Sequence, residues 1–212
     1  LDVPADARRV TVAPERLNRW LDNFADRHGA LEWERGSERV ALSAMDGSRA
    51  WFEVPFPPLV KQLAVATDLI THALADRWIG AILVRRGGYG AGVFDGTRLV
   101  ASKVDTSYVQ GTTKAGGWSQ QRYARRRANQ ARSAFAEAAD IAARILLPVL
   151  ATLDAVVTGG DRAAVDEVLA DVRLRDVREL VTGPLLQVPD PRLRVLERLP
   201  EQFRAVTVHI HP

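Results

Sequence analysis

With 212 residues, 47% hydrophobic and 26% charged, the chain is long enough to bury roughly 70% of its unfolded surface without covalent staples. It has no cysteine, which excludes disulfides, thiolate metal sites and cysteine nucleophiles; it also lacks an apolar run of about 18 residues and a basic, apolar leader, so a cytoplasmic protein with no membrane partner is expected. The net charge of +3 is concentrated: Tyr108 to Arg132 holds Lys114, Arg122, Arg125, Arg126, Arg127 and Arg132 and no acid, while the rest of the chain is slightly acidic, 23 basic residues against 26.

In chain order, Pro14 to His28 carries Leu17, Trp20, Leu21 and Phe24 at helical spacing, with Gly29 as its C-terminal stop. Arg39–Ser43 and Arg49–Val54 read as strands around the turn Asp46-Gly47-Ser48, and Pro55, Pro57 and Pro58 then interrupt regular structure. Leu59 to Asp76 reads as a second helix. A division near residue 76 follows, giving a small N-terminal α/β element over 1–76 and a second domain over 77–212.

Beyond Trp78 the pattern becomes a meander, Ile79–Arg86, Gly90–Phe94 and Leu99–Val104, with Gly87-Gly88 and Asp95-Gly96 expected to supply positive-φ turns. A polar loop, Ser107–Ser119, leads into the longest helix, Gln120 to Ala151. Its apolar stripe runs through Ala124, Ala128, Ala131, Phe135, Ala139, Ala142, Leu146 and Val149, and Pro148 should kink or end it. An apolar strand (Asp154–Thr158), a helix opened by Gly160-Asp161, another near Pro191–Arg198, and a closing strand, Ala205–Ile210, complete the reading. The class is α/β (α+β): a mixed sheet with an antiparallel three-strand meander, a long basic helix and covering helices.

At 100° per residue, Arg122, Arg125, Arg126 and Arg132 fall within about 120° of the long helix, beside its apolar stripe. Guanidiniums so grouped, with no acid nearby along the chain, suit bidentate contact with phosphates; a solvated helix face is the alternative. Before them, Gly116-Gly117 permits backbone conformations closed to other residues, and Ser119 is placed to cap the helix. Trp118 is suited either to stacking on a nucleotide base or to fastening the loop onto the domain.

The run Gly116-Gly117-Trp118-Ser119-Gln120-Gln121-Arg122-Tyr123-Ala124-Arg125-Arg126-Arg127 resembles the catalytic loop and following helix of the archaeo-eukaryotic class 1 peptide release factors. Within that superfamily it most resembles the bacterial branch of the Vms-like release factor / ribosome-quality-control peptidyl-tRNA hydrolase family. The decoding factors carry Gly-Gly-Gln followed by Ser-Ala-Leu-Arg-Phe-Ala-Arg, and the hydrolase branch carries Gly-x-x-Gln. An ungapped match to the former puts Trp118 at the glutamine position, whereas Gly117-Trp118-Ser119-Gln120 matches the latter and gives Gln120 that role. Gln121 is the substitute. The resemblance spans roughly residues 78 to 212, with the preceding meander and Lys103-Val104-Asp105 included. It implies the release-factor middle-domain (RNase H-like) architecture and a peptidyl-tRNA hydrolase that acts on stalled or split large ribosomal subunits in rescue and quality control.

The resemblance makes Gln120 the residue that places water and charge, with Gly116, Gly117, Ser119 and Gln121 shaping its loop. Lys114, Trp118, Arg122, Arg125, Arg126, Arg127 and Arg132 would contact RNA. The implied partners are ribosomal RNA of the large subunit and peptidyl-tRNA; no DNA, cofactor or metal is expected, and the chain is expected to act as a monomer. A tRNA or rRNA endonuclease is the rival enzyme and would need clustered carboxylates, for which Asp95 and Asp105 are the candidates near the basic loop. A non-catalytic ribosome or RNA binder using the same arginines is the third reading. His209 and His211 share a strand face without an accompanying carboxylate motif, and His28 and His72 stand alone in sequence. Thr158-Gly159-Gly160-Asp161 lacks the P-loop lysine, and Gly87 to Gly92 fails the dinucleotide fingerprint. No Ser/His/Asp arrangement is recognisable.

Overall fold

The computed structural model describes residues 1–106 and 119–212, excluding the side chains of residues 119–132. The strands in chain order are β1 (Arg8–Val12), β2 (Leu31–Glu34), β3 (Arg39–Ala44), β4 (Arg49–Glu53), β5 (Trp78–Arg85), β6 (Gly88–Asp95), β7 (Arg98–Asp105), β8 (Ala155–Gly160) and β9 (Val206–His211). The helices are α1 (Leu17–His28), α2 (Val65–Leu74), α3 (Ser119–Leu146), α4 (Arg162–Leu169), α5 (Arg175–Glu179), α6 (Leu193–Glu197) and α7 (Pro200–Phe203). Contacts divide the chain into unit 1, Leu1–Ala75 with Pro200–Pro212, and unit 2, Asp76–Leu199.

Unit 1 is an antiparallel sheet ordered β1-β9-β4-β3-β2. Helix α1 buries Leu17, Leu21 and Phe24 in the core that the sheet supplies through Val40, Leu42, Phe52, Val206 and Val208. Gly29, at φ 90°, stops α1 where its N–H donates to the Ala25 carbonyl at 2.8 Å. The β3–β4 turn forms as its residues demand: Gly47 sits at φ 94°, and the Ser48 N–H donates to Asp46 Oδ1 at 2.9 Å.

Three readings of this region change. Helix α2 starts at Val65, because the Gln62 and Leu63 N–H groups turn back to the Asp68 carboxylate, which the Arg35 guanidinium also reaches at 2.6 Å. Burial alone would raise the Asp68 pKa, but these donors outweigh it and hold the carboxyl below its usual range. Strands β1 and β2 escape the sequence pattern. The closing strand, expected with the second domain, lies between β1 and β4 in unit 1, where its alternation puts Val206 and Val208 at 0% exposure.

Unit 2 has the mixed sheet, ordered β7-β6-β5-β8, in which β5, β6 and β7 form the antiparallel meander and β8 runs parallel to β5. A parallel neighbour requires a crossover, and α3 lies in that connection. Small residues let α3 approach: Ala138, Ala139 and Ala142 are buried against the sheet, and Leu146 reaches Gly80, where an added Cβ would stand 3.1 Å from it. Pro148 ends the helix, and Leu147–Thr152 continues as a 3-10 turn.

Gly96 takes the positive φ, 59°, that its turn demands. Gly87 and Gly88 do not adopt the positive φ expected of them. Space requires them instead: a Cβ on Gly87 would strike the Asp190 carboxylate, and one on Gly88 would lie 2.7 Å from the Asp105 carbonyl.

Candidate functional site

The strand register of unit 2 gathers Arg85, Gly88, Asp105 and Gly160 at one edge of the sheet. The connection from β7 to α3 leaves from this edge. The Arg85 guanidinium is fixed there by a 2.7 Å bond from Nη1 to the Val188 carbonyl, and its Nε stands 3.8 Å from one carboxylate oxygen of each of Asp161 and Asp190. Sequence reading did not single out Arg85, because its partners lie far along the chain: Asp161 follows β8, which pairs with β5, and Val188 and Asp190 follow Leu186, which bridges to Gly159 of β8. Asp105 is turned into the backbone, its Oδ1 accepting the Thr106 N–H at 2.9 Å.

Two anchors fix α3 along the sheet. Leu146 meets Gly80 near the far edge, and Glu137 accepts a hydrogen bond from the Tyr89 hydroxyl at 2.5 Å near the loop edge. Burial first, and then Glu137, push the Tyr89 phenol well above its ordinary pKa, so it remains a donor at physiological pH. Nine residues of helix rise about 13.5 Å, and the four strand steps from Gly80 to the Tyr89 partner Val84 span about 13 Å, so helix and strands keep pace between the anchors. The 28 residues of α3 amount to about 42 Å, against about 26 Å for an eight-residue strand. The helix is therefore longer than the sheet it covers.

Lys114, Gly116, Gly117 and Trp118 lie outside the described residues. Ser119, Gln120, Gln121, Arg122, Arg125, Arg126, Arg127 and Arg132 belong to the first turns of α3, and their side chains also lie outside the description. The structure thus places the two ends of the connection, Asp105 and α3, in one unit.

Other constellations resolve into local pairing. His209 Nε2 bonds Glu53 Oε1 at 2.8 Å and His211 lies 3.5 Å from Asp6, so both have carboxylate partners that sequence spacing concealed. His72 is not isolated either, its Nε2 meeting the Pro55 carbonyl at 2.7 Å. His28, Asp46 and Ser48 do come together, but Asp46 Oδ2 at 2.8 Å and Ser48 Oγ at 3.1 Å share the same ring nitrogen, Nδ1. A nucleophile and an orienting acid need opposite nitrogens, so this is not a relay. The His28 bond, followed by the Ser48 N–H, lowers the Asp46 pKa. Asp95 pairs with Arg98 at 2.8 Å. Among the described residues no group of three or more His, Asp or Glu is placed to hold a metal, and no helix is long and apolar enough to cross a membrane.

A mixed sheet whose meander passes through an acid-free connection into one long basic helix defines an α/β protein with its candidate chemistry at the start of α3. Residues 77–209 match the Actinobacteria/chloroflexi VLRF1 release factor family, acVLRF1. The chain belongs to this family, as the loop and helix motif led one to expect. Among solved structures, the archaeal translation termination factor aRF1 aligns with 92% of this chain at 16% identity and a TM-score of 0.45, and a second structure, described as an archaeal protein, aligns over the same share at 16% identity and 0.40. The chain covers 64% of the length of each.

Proposed function

We propose that this chain hydrolyses the ester joining nascent peptide to tRNA on stalled or split large ribosomal subunits, as a cytoplasmic factor of ribosome rescue and quality control. The observation that carries the reading is the acid-free segment within the family match, which joins β7 to α3 and contains Gly117-Trp118-Ser119-Gln120. A carboxamide has no useful acid or base near neutral pH, so the part assigned to Gln120 is geometric: it orients a water for attack and offers an amide donor to the developing oxyanion. Gly116 and Gly117 let the backbone approach the acyl carbon, while Ser119 and Gln121 support the turn into α3. Lys114, Trp118, Arg122, Arg125, Arg126, Arg127 and Arg132 hold ribosomal or transfer RNA through phosphates and stacking, by shape with little reading of sequence. A helix longer than its sheet suits delivery of that loop to a recessed target.

The test uses purified ribosome–nascent-chain complexes, with the acylation state of the tRNA as readout. The protein should leave intact tRNA free of peptide, and Gln120→Ala should slow release by about 10²- to 10³-fold while ribosome binding persists. If Gln120→Ala releases at the full rate and Gln121→Ala does not, the register moves by one residue. Release insensitive to both removes the proposed chemistry. Cleaved tRNA would mark a nuclease, and binding without any turnover a pure binder. With all six cations on phosphates, log affinity should fall against log salt with a slope near about −4, at roughly 0.7 per single-strand contact.

A further inference from the structure

Unit 1 carries a second cationic surface, which the ester-hydrolysis reading does not use. A groove of about 730 Å³ lies between the end of β1 and the start of α1, lined there by Arg16, Arg19, Trp20 and Asn23. Its size falls in the range of roughly 300–1,000 Å³ common to ligand clefts. The four residues follow i, i+3, i+4, i+7 spacing and so share one helical face, next to the face that buries Leu17, Leu21 and Phe24.

Arg16 and Arg19 are exposed, and neither forms a salt bridge among the described residues. The acid adjacent in sequence, Glu15, is held by Arg204 at 2.8 Å, and Asp22 and Asp26 of α1 make no ion pair with either arginine among the described residues. Two guanidiniums three residues apart are thus available to an outside anion.

Trp20 is fixed in advance. It stacks on Phe24 with ring centroids 5.1 Å apart and planes 15° from parallel, and it makes a T-shaped contact with Phe52 at 5.3 Å. An indole already immobilised, and still lining the groove, forms a platform for a flat ring at little further cost in ordering. Asn23 adds a carboxamide, able both to donate to and to accept from a base edge. Its backbone carbonyl is occupied by Arg27 Nε at 2.9 Å, which anchors the backbone at that position.

We infer that this groove binds an unpaired RNA segment, with phosphates on Arg16 and Arg19, a base against Trp20 and its edge toward Asn23. An acidic peptide would satisfy only the arginines and leave the indole and the carboxamide without a role. The groove belongs to unit 1 and Gln120 to unit 2, and the inference stands or falls independently of ester hydrolysis.

The test uses the full chain with Lys114, Arg122, Arg125, Arg126, Arg127 and Arg132 replaced by Gln, which removes the six competing cations of the basic segment. A fluorescein-labelled unpaired RNA octamer is titrated by anisotropy, with folding of every variant checked by near-ultraviolet circular dichroism. Adding Arg16→Ala and Arg19→Ala, both at exposed positions, should weaken binding about tenfold or more and make the salt slope shallower by about 1.4, the sum for two single-strand contacts. An abasic octamer of equal charge should bind about fivefold or more weakly than the intact one, since stacking is worth about 1–3 kcal/mol per base. The proposal is overturned by unchanged affinity in the double alanine variant, by equal binding of the abasic octamer, by displacement of RNA with polyglutamate of matched charge, or by no octamer binding in the arginine-reduced background.

Discussion

Unit 2 draws its whole sheet from the stretch between Trp78 and Gly160, whereas unit 1 receives β9 after unit 2 has been completed in sequence. The interiors differ as well. Unit 1 packs aromatic rings, Trp20, Phe24 and Phe52, between helix and sheet; unit 2 lines its helix–sheet contact with alanine and glycine, which sets how closely α3 lies on β5 and β6. The family match, 77–209, covers unit 2 and continues into β9, so the shared sequence includes a strand that completes the other unit's sheet. One unit sets the pose of a helix; the other depends on an element from beyond it.

Deleting Pro200–Pro212 should break this comparison most severely. Strands β1 and β4 lose the neighbour between them, and Val206 and Val208 leave the core. Hydrogen exchange should show β1 and β4 deprotected while β5, β6 and β8 stay slow. Protection in all five would mean that unit 1 does not need β9. A finer contrast compares two glycines of positive φ. Gly160, at φ 105°, has the Val84 carbonyl where a Cβ would go, whereas Gly47, at φ 94°, has open space. Chemical denaturation should register a loss of about 2 kcal/mol or more for Gly160→Ala and about 1 kcal/mol for Gly47→Ala, strain alone accounting for the smaller value.

Tyr89→Phe removes the bond to Glu137 and should lower the stability of unit 2 by about 1 kcal/mol. Because the phenol's pKa is raised in the folded state, its contribution is complete below the ordinary tyrosine value of about 10 and disappears only as pH climbs through the raised one. The smallest effect is expected at Asp171, whose pKa falls to about 2 through the Arg173 side chain and then its backbone N–H. A depressed carboxylate stabilises the fold above about pH 4 and loses that contribution as pH falls toward 2. Asp171→Asn should therefore flatten the acid limb of unfolding in that window, modestly because the pair is partly solvated. An unchanged limb would show that Asp171 adds nothing to the acid stability of unit 2.

Local chemistry explains which elements were legible beforehand. The 3.6-residue spacing of Leu17, Leu21 and Phe24, the turn glycines Gly47 and Gly96, and the stop at Pro148 all act within a few residues of where they are read. Strands β1 and β2 are short and half exposed, with too little apolar alternation to stand out. The sheet that β9 joins depends on pairing such as Arg8 with Ile210, which no local window contains. The same applies to the carboxylates that meet His28, His209 and Arg85. The candidate loop is the opposite case: its glycines, carboxamides and missing acids are contiguous, so its chemistry can be read from sequence, while its geometry lies outside the described residues.

The position of β9 also has a consequence for synthesis. A nascent chain emerges from its amino end, so the strands of unit 2 are all available to one another before Val206 has been translated. Unit 1, although begun first, cannot close its five-stranded sheet until β9 has been made. Its early strands must wait with β1 and β4 unjoined, and the order of maturation runs opposite to the order of translation.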